Sequence, residues 1–478
     1  MDYEVVIGLE VHVELKTESK LFCSCPNCFV PEPNVNICPV CLGFPGTLPR
    51  LNREAVKLAL TASLALNCRI ALRSWFDRKN YFYPDIPKGY QISQYYEPIG
   101  SRGSLTIDDD QGQAKVVRIG RVHMEEDAGK LIHSPAGDAS LVDYNRAGVP
   151  LVEIVTEPDL RTPGEARCYL EKLKIILQYA GVSDCKMEEG SLRCDANISL
   201  RPAGSKNLGS KTELKNMNSF KAVEKSLEHE IKRQRSILKS GRAVISQTLR
   251  WEEDRQETIV MRGKLEAHDY RCFADCDLAP IELTAGEVEE ARAALPEMAE
   301  ARAERFVRDY KLPDYDAAVL TASRGLADYF ESCLESYGNP KNISNWIMGE
   351  LSARLNSAGI EIDSCLFGPE HMTELLRMID EKLISGKIAK DVLEKAFISG
   401  KMPRSIVEEE GLLQISNQSE LEGIIEKVLK ENPDSVENYR RGKTKAIGFL
   451  VGQVMKETRG KANPKLVNEL LVEKIDSR

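Results

Sequence analysis

The chain opens with YEVVIGLEVHVEL, in which Val5, Ile7, Leu9, Val11, Val13 and Leu15 alternate with Glu10, His12 and Glu14. Period-two alternation predicts a strand with one apolar and one polar face. The same period returns in VVRIGRVHMEED, VPLVEIVTEP and SLRCDANISLRP. Glycines and prolines cluster between such runs, in PDIPKG and NRAGVP, and predict turns there. The pattern changes near Thr284. Thr284 and Glu287 have the spacing of a capping box, and EVEEARAAL opens a helix-rich remainder. Helical periods follow in ISNWIMGELSARLNSAG, MTELLRMIDEKLISG, IAKDVLEKAF and SELEGIIEKVLKENP, the last stopped at Asn432-Pro433. The expected fold class is α+β, with a β-rich domain first and all-helical modules after it.

The polar strand faces carry unusual chemistry. Glu125 shares parity with Arg121, His123 and Asp127, while Glu153 interrupts a run that puts Val149, Leu151 and Val155 on its own side. In SLRCDANISLR, Arg193, Asp195, Asn197 and Ser199 alternate with Leu192, Cys194, Ala196, Ile198 and Leu200. Several strands thus each offer a carboxylate, often with Arg, His or Asn beside it. Hard divalent cations select carboxylate oxygens, and Mg²⁺ commonly joins one or two of them to phosphates. No Walker-type glycine loop occurs, so a nucleotide here would rest on a sheet. A half-exposed antiparallel sheet shows the same alternation without any site. Glu153 fits that plainer reading least, because a charge within PLVEIV is costly to bury without a partner.

The segment FCSCPNCFVPEPNVNICPVCLG holds Cys23-x-Cys25 and Cys38-x-x-Cys41 around a turn-rich loop. Two close pairs suit a tetrahedral Zn²⁺ site, closed and therefore structural, although Cys28 leaves the ligand set open. The alternative is a set of small buried or redox-active thiols. Thirteen cysteines in so long a chain are expected as metal ligands and buried thiols, not as a disulfide framework. Cys272 and Cys276 are expected to be ordinary small side chains.

At 478 residues, two or three domains are expected. No apolar run is long enough to span a bilayer, and Asp2 and Glu4 do not suit a signal peptide, so a cytoplasmic protein without membrane contact is expected. The net charge of −9 argues against bulk nucleic-acid binding. One stretch runs against that average. From Arg440 to Lys465 there are eight Lys or Arg residues and a single acid, Glu457. Ile447, Leu450, Val451 and Val454 have helical spacing there and are expected to pack inward. Such a charge run is usually a solvated helix face, yet a positive island in an acidic chain favours phosphate contacts.

The runs IGLEVHVEL, CPVCLGFPGTLP, FDRKNYFYPDIPKGYQISQY, HMEEDAGKL, VDYNRAGVPLVEIVTEPD and GSLRCDANISLRP strongly resemble the GatB/GatE family of the bacterial tRNA-dependent amidotransferases. KTELKNMNSF, ISNWIMGEL, ISGKIAKDVLE and GFLVGQVMKETRGKANPKLVNELL extend the resemblance over essentially the whole chain. The chain departs from the family pattern after His268-Asp269-Tyr270-Arg271, with Cys272, Ala274 and Cys276 where Tyr and Pro are usual.

The resemblance implies an open antiparallel-sheet cradle similar to the catalytic fold of glutamine synthetase and guanidino kinases. The implied division is a catalytic domain at 1–290 with a zinc loop at about 22–43, a helical domain at 291–405 and a YqeY-like tRNA-binding tail at 406–478. It implies an ATP-dependent carbon–nitrogen ligase that uses glutamine as amide donor. A GatA amidase and a small GatC protein are the implied partners, and mischarged Glu-tRNA(Gln) or Asp-tRNA(Asn) the substrate. ATP, Mg²⁺ and a structural Zn²⁺ are the implied cofactors. On the matching motifs, Glu10, His12, Glu125 and Glu153 are candidates for the Mg²⁺ shell. Arg193 and Asp195, with Glu10 and Glu125, are candidates for nucleotide contacts, and Lys79 and Lys88 for the ammonia route or the acyl phosphate. Cys23, Cys25, Cys38 and Cys41 match the zinc loop. Arg440, Arg441, Lys443, Lys445, Arg459, Lys461 and Lys465 are the tRNA-binding candidates.

Overall fold

The computed structural model describes residues 2–133, 139–261, 271–413, 418–441, 443, 445–458, 462 and 464–476. His268, Asp269, Tyr270, Arg459 and Lys461 lie outside the described residues. The chain divides into two compact units, Met1–Met298 and Ala299–Arg478.

In the first unit the alternating runs form strands. β1 (Tyr3–Glu14), β2 (Asp77–Asn80), β3 (Tyr90–Ser93), β4 (Ala114–Glu126), β5 (Pro150–Thr156), β6 (Leu192–Pro202) and β7 (Thr212–Lys215) belong to a 12-stranded sheet. They lie in the order β7-β6-β1-β5-β4-β3-β2, and every neighbouring pair among them is antiparallel. Among the helices that accompany the sheet are α1 (Arg53–Ala65), α2 (Pro163–Tyr179) and α3 (Phe220–Lys239). Their starts are written in the sequence. Asn52, Thr162 and Ser219 accept hydrogen bonds from first-turn amides, and Pro163 follows Thr162 where its missing N–H does no harm.

One pair departs from the antiparallel expectation. β7 runs parallel to the strand Gln247–Glu252, and α3 between them is the crossover that a parallel pair requires. The apolar set of β1 is buried as its parity predicts, with Ile7, Val11 and Val13 fully enclosed, as is Leu15 just past its end. It joins Val152 and Ile154 of β5, Ala196 and Ile198 of β6, and Leu170, Leu173 and Leu177 of α2 in one core. Truncating one such side chain, Leu173→Ala for instance, removes about 3 kcal/mol. With this face filled, the polar parity of β1, β4, β5 and β6 is displayed together on the other.

The capping box at Thr284 forms: the Thr284 amide donates to Glu287 Oε2 at 2.7 Å and the Glu287 amide to Thr284 Oγ1 at 3.2 Å. Its helix, Ala285–Ala293, stays with the first unit because Val288 is buried in that core. The second unit is helical and contains two separate apolar clusters, Phe306–Val407 and Leu421–Ile475. Leu450 and Val454 are fully buried in the latter, and Ile447 and Val451 pack against it. The segment expected as one helix over ISNWIMGELSARLNSAG contains a π turn, Ile347–Leu351, between Pro340–Trp346 and Ser352–Ala358. There the Ser352 hydroxyl donates to the Ile347 carbonyl at 2.7 Å, engaging the carbonyl of the widened turn. No described helix is long and apolar enough to cross a membrane.

Candidate functional site

Strand register turns separate polar parities into one surface. Arg193, His12, Glu153 and His123 are direct partners across β6, β1, β5 and β4. One row away, Glu10 sits between Asp195 and Val155, and Glu125 faces Leu151 and Ser93. Direct partners in antiparallel strands project to the same side, so these groups converge. His12 Nε2 lies 3.4 Å from Glu125 Oε1 and 3.3 Å from Glu153 Oε2. His123 Nε2 lies 3.7 Å and 3.4 Å from the other Glu125 oxygen and from Glu153 Oε2. Arg121 Nη2 approaches Glu153 Oε1 at 3.7 Å, and Ser93 donates to Glu125 at 3.3 Å.

Glu125, Glu153 and His123 are nearly inaccessible to solvent, and the charges settle one another. Burial disfavours charge on His12, but its hydrogen bonds to Glu125 and Glu153 outweigh burial and hold its pKa at about 10. His123 is raised in the same way, burial being overcome by Glu153 and Glu125. Glu125 and Glu153 are drawn well below the usual carboxylate range, against burial, by the two imidazoles. Glu10 moves up, first through burial and then through the nearby charge of Glu153. The face therefore sets two carboxylates against two imidazoles, each pair favouring the other's charged form.

Arg193 and Asp195 flank this centre, each with its own partner. Arg193 Nη2 donates to Asp127 Oδ2 at 2.7 Å, and Arg146 Nε reaches the same oxygen at 3.2 Å. Asp195 pairs with Lys215, which also reaches Glu213 at 3.1 Å. Lys79 and Lys88 are not part of the cluster. Lys79 has Gln91 and Cys272 as register partners. Lys88 pairs with Glu126, whose parity on β4 opposes Glu125. It lines a pocket of about 160 Å³ with Cys41, Arg78, Tyr90 and Glu126. Sequence reasoning did not single out His123, Arg121 or Lys215 as site residues. Their signal was parity shared with Glu125 for the first two, and the alternation TELK for Lys215.

Glu10, His12 and Glu153 offer ligand atoms within 4.8 Å of one another, as do His123, Glu125 and Glu153. His123 Nδ1 is buried without a hydrogen-bond partner among the described residues. This oxygen-rich donor set fits a hard divalent cation, whose entry would release protons from the imidazoles.

The cysteine loop converges as well. Cys23, Cys25, Cys38 and Cys41 place their sulfurs within 4.8 Å of one another, while Cys28 is exposed and stands outside the group. Zn–S bonds of about 2.3 Å at tetrahedral angles set sulfurs about 3.8 Å apart, and Cys38 and Cys41 Sγ are separated by 3.8 Å. The donor set fits zinc. Cys272 is half-buried and Cys276 exposed, and the acids beside Cys276, Asp275 and Asp277, are taken by Arg78 at 2.8 and 2.6 Å.

In the basic segment, Arg440 Nη2 donates to the Ile475 carbonyl at 3.2 Å, Arg441 pairs with Glu437 at 3.2 Å, and Lys443 reaches Asn438. Lys445 is exposed at the start of the helix Lys445–Glu457. Lys465 lies in the helix Pro464–Asp476.

Comparison with known proteins matches residues 5–289 to the GatB/GatE catalytic domain and residues 328–475 to the GatB domain. A protein of Carboxydothermus hydrogenoformans, named as the B component of an aspartyl/glutamyl-tRNA(Asn/Gln) amidotransferase, is 57% identical over 477 residues, covering 99% of each chain. The protein of the same name from Caldanaerobacter subterraneus is 58% identical over 99% of this chain and 100% of its own length. That of Persephonella marina is 53% identical over 99% of each. The chain belongs to the GatB/GatE family.

Proposed function

We propose that this GatB/GatE-family chain is the part of a tRNA-dependent amidotransferase that activates and amidates the amino acid on a mischarged tRNA. The supporting observation is the convergence of Glu125 and Glu153 with His12 and His123 on one sheet face. The substrate is Glu-tRNA(Gln), Asp-tRNA(Asn) or both, the relatives' names including both. A carboxylate resists ammonia because oxide would have to leave. Transfer of the ATP γ-phosphoryl group to the side-chain oxygen releases ADP. Ammonia then attacks the acyl carbon, phosphate leaves and a proton is lost. Magnesium bound by Glu10, His12, Glu125 and Glu153 would neutralise charge on the phosphates.

The chain's own residues provide the setting. Arg121 and Arg193 bring fixed positive charge to the rim of the face, where phosphate oxygens would gain charge in the transition state. Lys215 holds Asp195 toward Glu10, keeping the row ordered for the nucleotide. Lys88, in its pocket with Glu126, and Lys79 are assigned to the ammonia route or the acyl phosphate. Zinc held by Cys23, Cys25, Cys38 and Cys41 staples the loop. Ammonia comes from a GatA amidase, with GatC completing the cytoplasmic complex. The tail from residue 406 grips tRNA through Arg440, Arg441, Lys443, Lys445, Arg459, Lys461 and Lys465, contacts that position rather than specify.

The test is ADP release by the assembled complex with Glu-tRNA(Gln), with free glutamate, and with neither. ADP formed only with charged tRNA is expected. No ADP with any of them sinks the reading and leaves a tRNA-binding scaffold; equal ADP with free glutamate makes the chain a small-molecule phosphotransferase.

A further inference from the structure

We propose that Lys20 is the buried counter-cation of the four-cysteine centre and sets how tightly that centre holds zinc. The inference rests on the zinc reading above and adds a residue to it. Lys20 is completely buried and is among the largest enclosed side chains of the chain. Its ammonium has three donors, and among the described residues its hydrogen bond goes to the Asn36 carbonyl at 2.9 Å. No carboxylate of the described residues pairs with it. A buried ammonium without countercharge loses its proton or finds an anion.

The thiolates are the anions at hand. A Cβ placed on Gly148 would lie 3.6 Å from both Lys20 Cδ and Cys41 Cβ, so the lysine stem and Cys41 flank the same glycine. The Lys20 amide donates to the Cys25 carbonyl at 2.9 Å, while Nζ holds the carbonyl of Asn36, two residues before Cys38. Lys20 thus joins the two halves of the loop that supply the two cysteine pairs. Four thiolates around a dication leave a doubly negative cluster, which an adjacent ammonium halves. Outer partners of this kind commonly change metal affinity by about 10- to 100-fold.

The experiment measures zinc affinity of the full chain by competition with a chromophoric chelator, for the wild type, K20M and K20R, with folding checked by circular dichroism. K20M is expected to bind zinc about 10- to 100-fold more weakly, and K20R, which keeps the charge, within a few-fold of the wild type. The melting penalty of K20M should be larger in the zinc-loaded than in the zinc-stripped protein. Unchanged affinity in K20M, equal losses in both variants, or equal melting penalties with and without zinc overturn the proposal and reduce Lys20 to packing. A wild type that takes up no zinc overturns the zinc reading itself, a result distinct from the other three.

Discussion

The cysteine cluster and the acid–histidine face of the first unit could each take a metal ion, and they are built in opposite ways. The cysteine cluster draws on residues 23–41, a single loop, whereas the acid–histidine face draws on residues 10–153 and needs three strands in register. Their charges differ too. Glu125 and Glu153 are met by His12 and His123, whose positive charge comes and goes with a proton. The cysteines have only the proposed Lys20 ammonium to offset them among the described residues, so a cluster of thiolates there calls for a resident dication. Balance by exchangeable protons suits a site that ligands enter and leave at each turnover. Dependence on a fixed cation suits a staple.

The largest effect that could break this contrast is expected from Glu153→Gln. Glu153 contacts both imidazoles and Arg121. Removing its charge should lower the pKa of His12 and His123, seen by NMR titration. ADP formation with charged tRNA should fall at least about 100-fold, as when a transition-state charge partner is lost, with tRNA affinity unchanged. Activity near wild type would make the face an ordinary ion-paired sheet. Next in size is Cys41→Ser, expected to abolish bound zinc on metal analysis and lower the melting temperature by several degrees, while Cys28→Ser changes neither. Zinc retained in Cys41→Ser would erase the distinction between staple and site.

The same contrast explains what could be read in advance. The cysteine spacing lies within one loop, so the grouping of the two cysteine pairs was legible from residues alone, and the structure adds that Cys28 stands apart. On the sheet, parity showed that Glu10 and His12 share a face, since side chains alternate strictly. That Glu153 meets both histidines depends on strand order β6-β1-β5-β4, which no single strand encodes. Lys88 illustrates the limit. It sits in a motif with candidate residues, yet its partner Glu126 has the parity opposite to Glu125. The parallel pair at β7 was missed because short edge strands carry little pattern, and the crossover helix between them reads the same in either topology. The π turn at Ile347–Leu351 keeps helical periodicity on both sides and so leaves no mark in sequence.

A smaller effect is expected from Glu331→Gln, which supplies a carboxylate with no metal to serve. Glu331 accepts from Arg305 at 2.7 Å and Tyr310 at 3.0 Å and pairs with Arg302. Although burial opposes it, Arg305, Arg302 and Tyr310 lower its pKa to about 2. A depressed carboxylate stabilises the fold above its unfolded pKa, near 4.5, and that stabilisation is lost as pH falls toward 2. Glu331→Gln should therefore cost roughly 1 kcal/mol at neutral pH and progressively less between pH 4.5 and 2, with ADP formation unchanged. Its partners are arginines, which do not titrate in this range, whereas Glu153 faces histidines. A loss of activity in Glu331→Gln would mean that the kinetic test on Glu153 does not separate a site from a structural ion pair.

The smallest effect expected is at Lys445, whose charge is neither balanced nor caged among the described residues. Its side chain is exposed at the start of the helix Lys445–Glu457, whose inward residues Leu450 and Val454 anchor it in the last apolar cluster. Lys445→Ala should leave that packing intact, because nothing buried is removed. If the segment contacts phosphates, each neutralised phosphate releases counterions, and log affinity falls with log salt by about 0.7 to 0.9 per contact. Lys445→Ala should then weaken tRNA binding a few-fold at low salt and flatten the salt slope by nearly one unit, equally for cognate and unrelated tRNA. A weaker affinity with an unchanged slope would assign Lys445 to an uncharged contact. No change in either would make this start of the helix a solvated face, with no phosphate contact at Lys445.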